Sequence, residues 1–475
     1  MNRRASAAFG LALSVLFVAS QEGPRPEPPP LEEVRFPPYE TMTLANGLTV
    51  FALEHDEQPV VAVQLVLGAG AANDPGDLPG LAMFTGSLLQ TGAAARTATE
   101  IAEAIDASGG QLTVAPGREA TTITASVLRD STDLAFELMR DMVLLPAFAQ
   151  DEIERLRQQS LSAITANLQD PDFLADTVFT KVLYGSHPYA HPADGTPASI
   201  GRITREDIVR FHETWFAPET AVLAIVGALT PDEALGLAEQ WFGGWERKDP
   251  PSVDLAGPEP VGGTRIVIVD NPLSVQTEIR IGQTTVARNA PDYFPVLVTS
   301  YVLGGPEGRL MDSLRSGKGL TYGAFETIAA RRGPGALYAT TETRTETTLE
   351  AIDAIFEEIA GMQSAPVPAA ELEDVKSYVI GSFPLTIEVP SDLATRLTNL
   401  VVYDLGPDYL DTYRDRIAAV DSAEVARIAR DHLRREGVVL VLVGDAGAFR
   451  QGVESLGTVE VIPQAGLDLD SSTLF

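Results

Sequence analysis

The sequence predicts an α+β protein that is a tandem duplication of one two-layer α/β unit. Segment 120–139 (ATTITASVLRDSTDLAFELM) and segment 335–355 (GALYATTETRTETTLEAIDAI) are versions of a single strand-to-helix unit. Each half also ends on a similar apolar strand, AVLAIVG at 221–227 and VVLVLVG at 438–444. Repeats of about 200 residues lie within the size of one domain or two small ones, so the chain is long enough for two complete copies.

The first half begins with strands. Alternating apolar residues surround the Asn46-Gly47 pair, and a tight turn at such a pair requires positive φ, so the pattern predicts a β-hairpin. A further strand is predicted over 59–67, because alternate residues separate onto two faces. Helical periodicity and stop signals predict helices at 80–89, 97–107, 132–145 and 150–168, with a strand pair at 111–128.

The second half repeats this order after a linker at 244–263 that is rich in Pro and Gly. The predicted elements are strands at 265–269 and 275–281, a helix at 291–303, a strand pair at 321–343 and a helix at 347–362. We therefore expect an N-terminal domain at 39–243 and a C-terminal domain at 264–475.

The composition argues against several classes of protein. The 475 residues contain 34 Lys and Arg against 66 Asp and Glu, which gives a formal net charge of -32. Nucleic-acid binding requires a cationic surface, so we expect no nucleic acid as a partner. The chain has no cysteine, which rules out disulfide scaffolds, thiol nucleophiles and cysteine zinc sites. Any zinc ligand in this chain would have to be His, Asp or Glu.

The N-terminus predicts export. Arg3 and Arg4 precede an apolar run at 8–19, and residues 1–20 have the proportions of a secretory signal peptide. The run is shorter than the roughly 20 residues that cross a bilayer, which disfavours an uncleaved anchor. A buried N-terminal helix is disfavoured as well, because a Pro-rich linker at 21–38 follows at once. We expect a periplasmic or secreted protein with no membrane span.

One long segment carries a family resemblance. Residues 184–227 (YGSHPYAHPADGTPASIGRITREDIVRFHETWFAPETAVLAIVG) resemble the insulinase-like, or M16, zinc metallopeptidases and their relatives in mitochondrial processing and in the cytochrome bc1 core proteins. The resemblance extends from Tyr39 to the C-terminal tail. It implies two homologous domains of the LuxS/metallohydrolase-like fold, which face each other as a clamshell around a chamber.

The same resemblance demands a zinc motif that this sequence lacks. Active members carry His-x-x-Glu-His on the first helix of the first half and a further Glu later in the chain. Here Met83 and Ser87 replace the two histidines, Gly86 replaces the general base, and Ala163 replaces the third ligand. A thioether is a poor zinc ligand in an oxygen-rich site, and Gly and Ala have no side-chain donor. We expect no cofactor and no metal in this chain, and a helix around Met83 that serves core packing.

Two histidines offer an alternative metal site. His187 and His191 are four residues apart and would share one face of a helix. Pro188 and Pro192 interrupt the segment, so we predict a loop there and not a pair of metal ligands.

A segment of the second half resembles the part of the family's active site that contacts the substrate. Residues 303–322 (LGGPEGRLMDSLRSGKGLTY) contain Arg315 and Tyr322, which match an Arg and a Tyr that reach the scissile peptide in active relatives. A phenol can donate a hydrogen bond to the developing oxyanion, and a guanidinium can hold substrate carbonyls. Each residue also has a structural alternative, Arg315 as a cation at a helix C-terminus and Tyr322 as a packing residue at a strand start.

Peptide binding has its own candidate element. Strand 111–115 corresponds to the edge at which active relatives add the substrate as a further strand. Active members tend to have Asn-Ala here, whereas this chain reads Leu-Thr-Val-Ala at 112–115, which weakens the expectation. The acidic surplus could attract basic peptides to a chamber or could only solvate the outer face.

Missing metal ligands together with a retained Arg and Tyr lead to a functional hypothesis. We expect the zinc-free subunit of an exported heterodimeric peptidase, inert alone, which binds peptide and supplies Arg315 and Tyr322 to a zinc-bearing M16 partner with His-x-x-Glu-His. The alternative is a non-enzymatic scaffold or peptide-binding clamp resembling the bc1 core proteins. Peptidase chemistry at an unrelated site has no support, since the sequence has neither a Gly-x-Ser-x-Gly elbow nor a cysteine.

Overall fold

The computed structural model describes residues 34–259, 261–471 and 474. The predicted signal peptide at 1–20 and most of the linker at 21–38 lie outside the described residues, so export stays a prediction. From Arg35 onward the chain forms one compact unit that contains two six-stranded sheets.

The first half forms one of these sheets. Its strands are β1 (Glu40–Thr43), β2 (Thr49–Glu54), β3 (Val60–Leu67), β4 (Gly92–Ala93), β5 (Arg96–Thr97), β6 (Gln111–Pro116), β7 (Thr121–Leu128) and β8 (Ala221–Gly227). Its helices are α1 (Leu81–Leu88), α2 (Ala98–Ala107), α3 (Thr132–Leu144), α4 (Gln150–Asn167), α5 (Pro171–Tyr184), α6 (Pro197–Arg202), α7 (Arg205–Trp215) and α8 (Pro231–Phe242). The strand order is β1-β2-β8-β3-β7-β6, and β4 and β5 form a separate short pair.

The second half forms the other sheet. Its strands are β9 (Arg265–Asp270), β10 (Gln276–Thr284), β11 (Ala324–Ala329), β12 (Ala336–Arg344), β13 (Val439–Gly444) and β14 (Thr458–Pro463). Its helices are α9 (Tyr293–Gly304), α10 (Thr348–Ser364), α11 (Ala369–Ser382), α12 (Pro390–Val402), α13 (Tyr409–Ala419), α14 (Ser422–His432) and α15 (Ala446–Val453). The strand order is β11-β12-β10-β13-β9-β14.

Local sequence signals set the limits of these elements. The predicted hairpin turn contains Gly47 with φ of 94°, and the Asn46 side chain donates a hydrogen bond of 2.8 Å to the carbonyl of Phe242. At the start of α2, Thr97 and Glu100 form a capping box, in which each side chain bonds the backbone N–H of the other. Polar side chains thus satisfy backbone groups that the ends of an element leave open.

The two sheets have one topology. Written from its other edge, the first sheet reads β6-β7-β3-β8-β2-β1, which matches β11-β12-β10-β13-β9-β14 in every position. The mixed α+β class and the duplication that the sequence predicts are confirmed. Only the last strand differs in origin: β1 precedes β2 and pairs antiparallel to it, whereas β14 comes late in the chain and pairs parallel to β9.

Each half places one helix on the sheet of the other half. Helix α12 packs on β3 and β8, and helix α5 packs on β10 and β13. In the first sheet, Val66 and Ala224 share a buried apolar cluster with Leu397 of α12. In the second sheet, Val441 shares a cluster with Phe179 of α5. Because helices cover both faces of each sheet, β8 and β13 are buried along their whole length, which explains their continuous apolar sequences.

Most predicted limits agree with the structure to within two or three residues. One segment has an unexpected form, because Met311–Gly317 is a π-helix that follows α9. Wider turns of this kind occur often at functional sites. Among the residues that the structure describes, none of the helices has both the length and the apolar character of a membrane span.

Candidate functional site

Three of the four positions where zinc-binding relatives need ligands and a base line one cavity. Met83 and Ser87 on α1 and Ala163 on α4 surround a space of about 210 Å³ together with Phe84 and Asn167. The cavity exists because α1 packs against α4. The structure therefore brings together residues 80 positions apart that the sequence comparison singled out.

The chemistry of this cavity does not fit a zinc ion. The hydroxyl of Ser87 donates a hydrogen bond of 2.8 Å to the carbonyl of Met83, within the helix. Ala163 has no side-chain atom that can bind a metal. The Met83 thioether is a soft ligand, and no other soft ligand lies beside it in the cavity. Within the described part of the chain, no group of three or more His, Cys, Asp and Glu side chains could hold a metal ion.

The position of the missing general base is closed by packing. Gly86 is buried, and a Cβ atom added there would lie 2.7 Å from Cβ of Pro116, at the end of β6. Such a contact forces a shift of the strand, because real Cβ atoms do not approach so closely. A glutamate at this position would therefore require the end of β6 to move.

A buried carboxylate fixes the start of α1, and sequence reasoning missed it. Asp74 has a fully buried side chain, which accepts hydrogen bonds of 2.7 Å from the backbone N–H groups of Gly80 and Ala82. Burial raises the pKa of Asp74 above its usual value, although His191 nearby lowers it in part. The spacing of six to eight residues between Asp74 and its partners exceeds that of an N-cap motif, so no local signal could have identified it.

The loop predicted around the two spaced histidines is confirmed. The segment from Gly185 to Asp194 consists of turns and bends. Nδ1 of His187 accepts a hydrogen bond from the Tyr189 N–H at 3.0 Å, and Nε2 of His191 lies 2.9 Å from the carbonyl oxygen of Ala71. Both rings therefore bond to the backbone and tie the loop to its surroundings.

The side chains of Arg315 and Tyr322 are both exposed to solvent. Arg315 is exposed in the last turn of the π-helix, and Tyr322 is 93% exposed. Among the described residues, neither side chain has a hydrogen-bonding or ionic partner. Buried Leu314 and Leu320 flank them and are joined by a 2.8 Å backbone hydrogen bond, so the segment is anchored while the two polar groups stay free.

The structural alternatives for these two residues have different outcomes. A packing role for Tyr322 is wrong, because its side chain is almost fully exposed. Arg315 does lie in the last turn of a helix, where a cation is favoured by the helix dipole. Neither observation tests the roles that the resemblance implies.

A large cleft lies beside the Arg315 segment. Its volume is about 1070 Å³, and it is lined by the π-helix and by charged residues of both signs. Arg309 in this cleft forms two hydrogen bonds with Glu371, of 2.7 and 2.9 Å, and Lys318 pairs with Glu357 at 3.1 Å. Both cationic side chains of the cleft are thus paired with carboxylates, whereas Arg315 is not.

Strand β6 lies at the edge of its sheet, because among the described strands it pairs with β7 alone. Its side chains alternate between exposed and half-buried positions, with Gln111, Thr113 and Ala115 exposed. The free side of β6 can accept a further strand through backbone hydrogen bonds.

Two peptidase-family models match the sequence. Residues 50–192 match the model of insulinase (peptidase family M16), and residues 202–379 match the model of the peptidase M16 inactive domain. An uncharacterised zinc protease of Mycobacterium tuberculosis is 29% identical over 413 residues, which cover 86% of this chain and 93% of that relative.

Solved structures show the same similarity. A peptidase M16 inactive domain from Pseudomonas fluorescens matches with a TM-score of 0.81 at 27% identity, over 86% of this chain and 98% of that one. A chain of complex III2 from Candida albicans matches with a TM-score of 0.74 at 16% identity, over 89% of this chain and 100% of that one. The second likeness concerns the fold alone.

Proposed function

Because the chain belongs to the M16 peptidase family as a member of the inactive type, we propose that it is the zinc-free subunit of an exported heterodimeric peptidase. In this proposal the chain binds a peptide and supplies Arg315 and Tyr322 to a zinc-bearing M16 subunit that carries His-x-x-Glu-His. One observation carries the proposal. Within the described chain, Asp194 is the single ionisable side chain that lines the cavity at Met83, so no group of side chains there could hold a metal ion, while Arg315 and Tyr322 are exposed without a partner.

The chemistry assigned to the two side chains follows from their groups. The Tyr322 hydroxyl donates a hydrogen bond to the oxygen that becomes negative when the scissile carbonyl is attacked. The Arg315 guanidinium holds carbonyl oxygens of the extended peptide. Both groups act from a segment anchored by Leu314 and Leu320, which reduces the entropy lost when they engage the substrate.

A reconstitution experiment tests this proposal. The mature chain is mixed with a zinc-bearing M16 subunit that carries His-x-x-Glu-His, and cleavage of a quenched fluorescent peptide is followed. We expect no cleavage by the chain alone and cleavage by the mixture. Arg315→Ala and Tyr322→Phe should each lower kcat/KM of the mixture by roughly tenfold or more, as expected for lost oxyanion or positioning contacts.

Matched controls separate these roles from general effects. Arg344→Ala removes an equally charged exposed residue, and Tyr378→Phe removes the hydroxyl of a tyrosine that is 53% exposed. Both controls should retain full activity. Undiminished activity of the Arg315→Ala/Tyr322→Phe double variant would contradict the assigned roles, and chelator-sensitive cleavage by the isolated chain would contradict the whole proposal.

The scaffold alternative has one specific observation in its favour, the likeness of the fold to a chain of complex III2. It predicts a stable complex with a partner, whose formation and function ignore Arg315 and Tyr322. The reconstitution experiment distinguishes the two, since a scaffold yields a complex without peptide cleavage. Export is tested separately by N-terminal sequencing of the mature protein, which should begin near Gln21 in a periplasmic or culture-medium fraction.

A further inference from the structure

Two equivalent turns meet where the halves join. The turn 117–120 links β6 to β7, and the turn 330–335 links β11 to β12, which is the same position in the second sheet. The carboxylate of Glu119 in the first turn accepts a 2.9 Å hydrogen bond from the backbone N–H of Arg332 in the second. The Tyr189 hydroxyl donates to the same carboxylate and accepts a 3.1 Å bond from the Gly333 N–H.

Four arginines lie at this junction, and we call them the arginine cluster: Arg118, Arg288, Arg331 and Arg332. Arg332 is exposed and contacts the junction through its backbone N–H. The N–H of Arg288 bonds the carbonyl of Arg331 at 2.8 Å, which places these two residues side by side. The guanidinium of Arg331 lies 5.6 Å from the ring centre of Tyr189. Arg118 donates hydrogen bonds of 3.0 Å to the carbonyls of Tyr189 and His191.

The cluster lacks the anions that would balance it. Within the described residues, none of the four guanidinium groups forms an ion pair. The Glu119 carboxylate is already bonded to Tyr189 and to a backbone N–H, and the Asp74 carboxylate, whose charge acts on Arg118, is bonded to two backbone N–H groups. This is unusual in a chain with a formal net charge of -32. Neighbouring cations without counterions repel each other, and those that are buried lose hydration, which is unfavourable unless an anion joins them.

Two N–H groups of the cluster are buried without an acceptor in the described structure: Nη1 of Arg288 and Nε of Arg331. The Arg288 guanidinium lies 3.9 Å from the ring centre of Tyr293 and 5.0 Å from that of Tyr409. Burial and the nearby Arg331 lower the pKa of Arg118 to about 10. Buried charged donors without acceptors are costly, and an external acceptor removes the cost.

We propose that the arginine cluster is a carboxylate-binding site that receives a carboxylate group of the bound peptide. This inference rests on peptide binding, which is part of the proposed function. Planar guanidinium groups bind the two oxygens of a carboxylate side by side. Arg118 lies in the turn that directly follows β6, so a peptide paired along the free edge of β6 extends toward this turn. A strongly acidic chain repels polyanions, which favours a small carboxylate ligand with few negative charges.

Two binding experiments on the mature chain test this inference. The first measures binding of succinate by calorimetry, which probes the anion site without any peptide. The second compares a ten-residue peptide that has a free C-terminal carboxylate with its C-terminal amide, and a copy with an internal Glu with its Gln counterpart. We expect the wild-type chain to bind succinate and to prefer one carboxylate peptide over its neutral copy by roughly tenfold.

Variants link this preference to the cluster. Arg331→Gln and Arg288→Gln should each abolish the preference and weaken succinate binding by roughly tenfold or more, while the neutral peptides bind as before. Arg344→Gln is the matched control, since it makes the same change of charge at an exposed position. Arg331→Lys keeps the positive charge but lacks the planar guanidinium, so it should show part of the carboxylate preference that Arg331→Gln loses. Circular dichroism confirms that each variant is folded.

Each outcome has one meaning. If succinate does not bind and acid and amide peptides bind equally, the carboxylate site is refuted. If succinate binds through Arg331 but no peptide binds, the carboxylate site stands as an anion site while its assignment to a peptide, together with the peptide-binding part of the proposed function, is refuted. A preference for inorganic phosphate over succinate would also overturn the assignment to a carboxylate.

Discussion

The two halves share one topology but use different side chains at equivalent points. Gln64 lies on the central strand β3 opposite Thr124, and Arg280 lies on β10 opposite Thr340. Both side chains are buried, and both contact the helix that comes from the other half. The duplicated backbone therefore creates the same position twice, and the side chain alone decides what kind of contact forms there.

In the first half this contact is neutral. Nε2 of Gln64 donates a 2.9 Å hydrogen bond to the hydroxyl of Thr398, and Oε1 accepts a 3.1 Å bond from Thr395, both on α12. In the second half the contact is ionic: Arg280 pairs with Asp176 at 2.6 Å, with Glu278 at 3.2 Å and, more closely, with Asp172. The comparison indicates that the contact of α12 with the first sheet and the contact of α5 with the second sheet respond differently to charge, pH and salt.

The functional residues divide in the same way. Within the described residues, the first half contains the cavity at Met83, where no group of side chains could hold a metal ion, whereas the second half exposes Arg315 and Tyr322 without ionic or hydrogen-bonding partners. The duplication supplied two similar frameworks, and the sequence changed the chemistry of each independently.

The largest effect is expected at the ionic contact. Arg280→Met removes the counterion of buried Glu278 and the attachment of α5, and should lower the free energy of unfolding by roughly 3 kcal/mol. We choose the lower end of the range for a broken buried ion pair, because the Asp172 and Asp176 side chains are 65% and 49% exposed. Urea unfolding measures the change. Arg344→Met, at an exposed pair, should cost less than about 1 kcal/mol, and an equal cost for both variants would contradict the comparison.

The halves should also respond to pH in opposite directions. Burial raises the pKa of Glu278 to about 7, despite the nearby Arg280. The folded state therefore holds this proton more tightly than the unfolded state, and the stabilisation present at low pH is lost as pH rises from the normal range of a glutamate toward 7. Glu278→Gln should remove this fall in stability, measured as Tm between pH 4.5 and 7.5; an unchanged pH profile would be evidence against it.

A buried histidine gives the first half the reverse dependence. Burial lowers the pKa of His212 to about 4, and its Nε2 lies 2.7 Å from the carbonyl oxygen of Val143. The folded state holds this proton less tightly, so the stabilisation present above the normal histidine pKa is lost as pH falls from about 6.5 toward 4. His212→Gln should reduce the fall in Tm at acidic pH. It should leave unchanged the fall in Tm toward pH 7 that is assigned to Glu278. The idea fails if the variant loses stability equally at pH 5 and pH 8.

The smallest effect is expected at the neutral contact. Gln64→Leu removes hydrogen bonds to Thr395 and Thr398, both of which also bond backbone carbonyls of α12. Because the Thr395 and Thr398 hydroxyls keep backbone acceptors, and the further bond from half-buried Thr124 is long at 3.5 Å, the loss should be about 1 kcal/mol and should not vary with pH or salt. Unfolding in urea at low and high salt checks this, and a strong salt dependence would show that the neutral contact had been misassigned.

Sequence reasoning predicted the strands and helices well because their signals are local. The Asn46-Gly47 turn, the Thr97 cap and the alternation in β3 all depend on residues within one element. It also predicted that Met83, Ser87 and Ala163 mark one site, since the family resemblance assigns each position separately. It missed Asp74, because the partners of its carboxylate lie six and eight residues away and across a loop.

The order of the elements, the duplication and the loss of zinc ligands were all determined by the sequence alone. Periodicity fixes secondary structure, and the absence of a donor atom in Gly or Ala needs no coordinates to be recognised. Only the tertiary structure decided that α5 and α12 each pack on the sheet of the other half, and that Pro116 leaves no room for a side chain at position 86. It alone also decided that the arginine cluster forms at one junction. These features depend on contacts between residues far apart in the chain, and packing of the two halves brings those residues together in ways that no local pattern encodes.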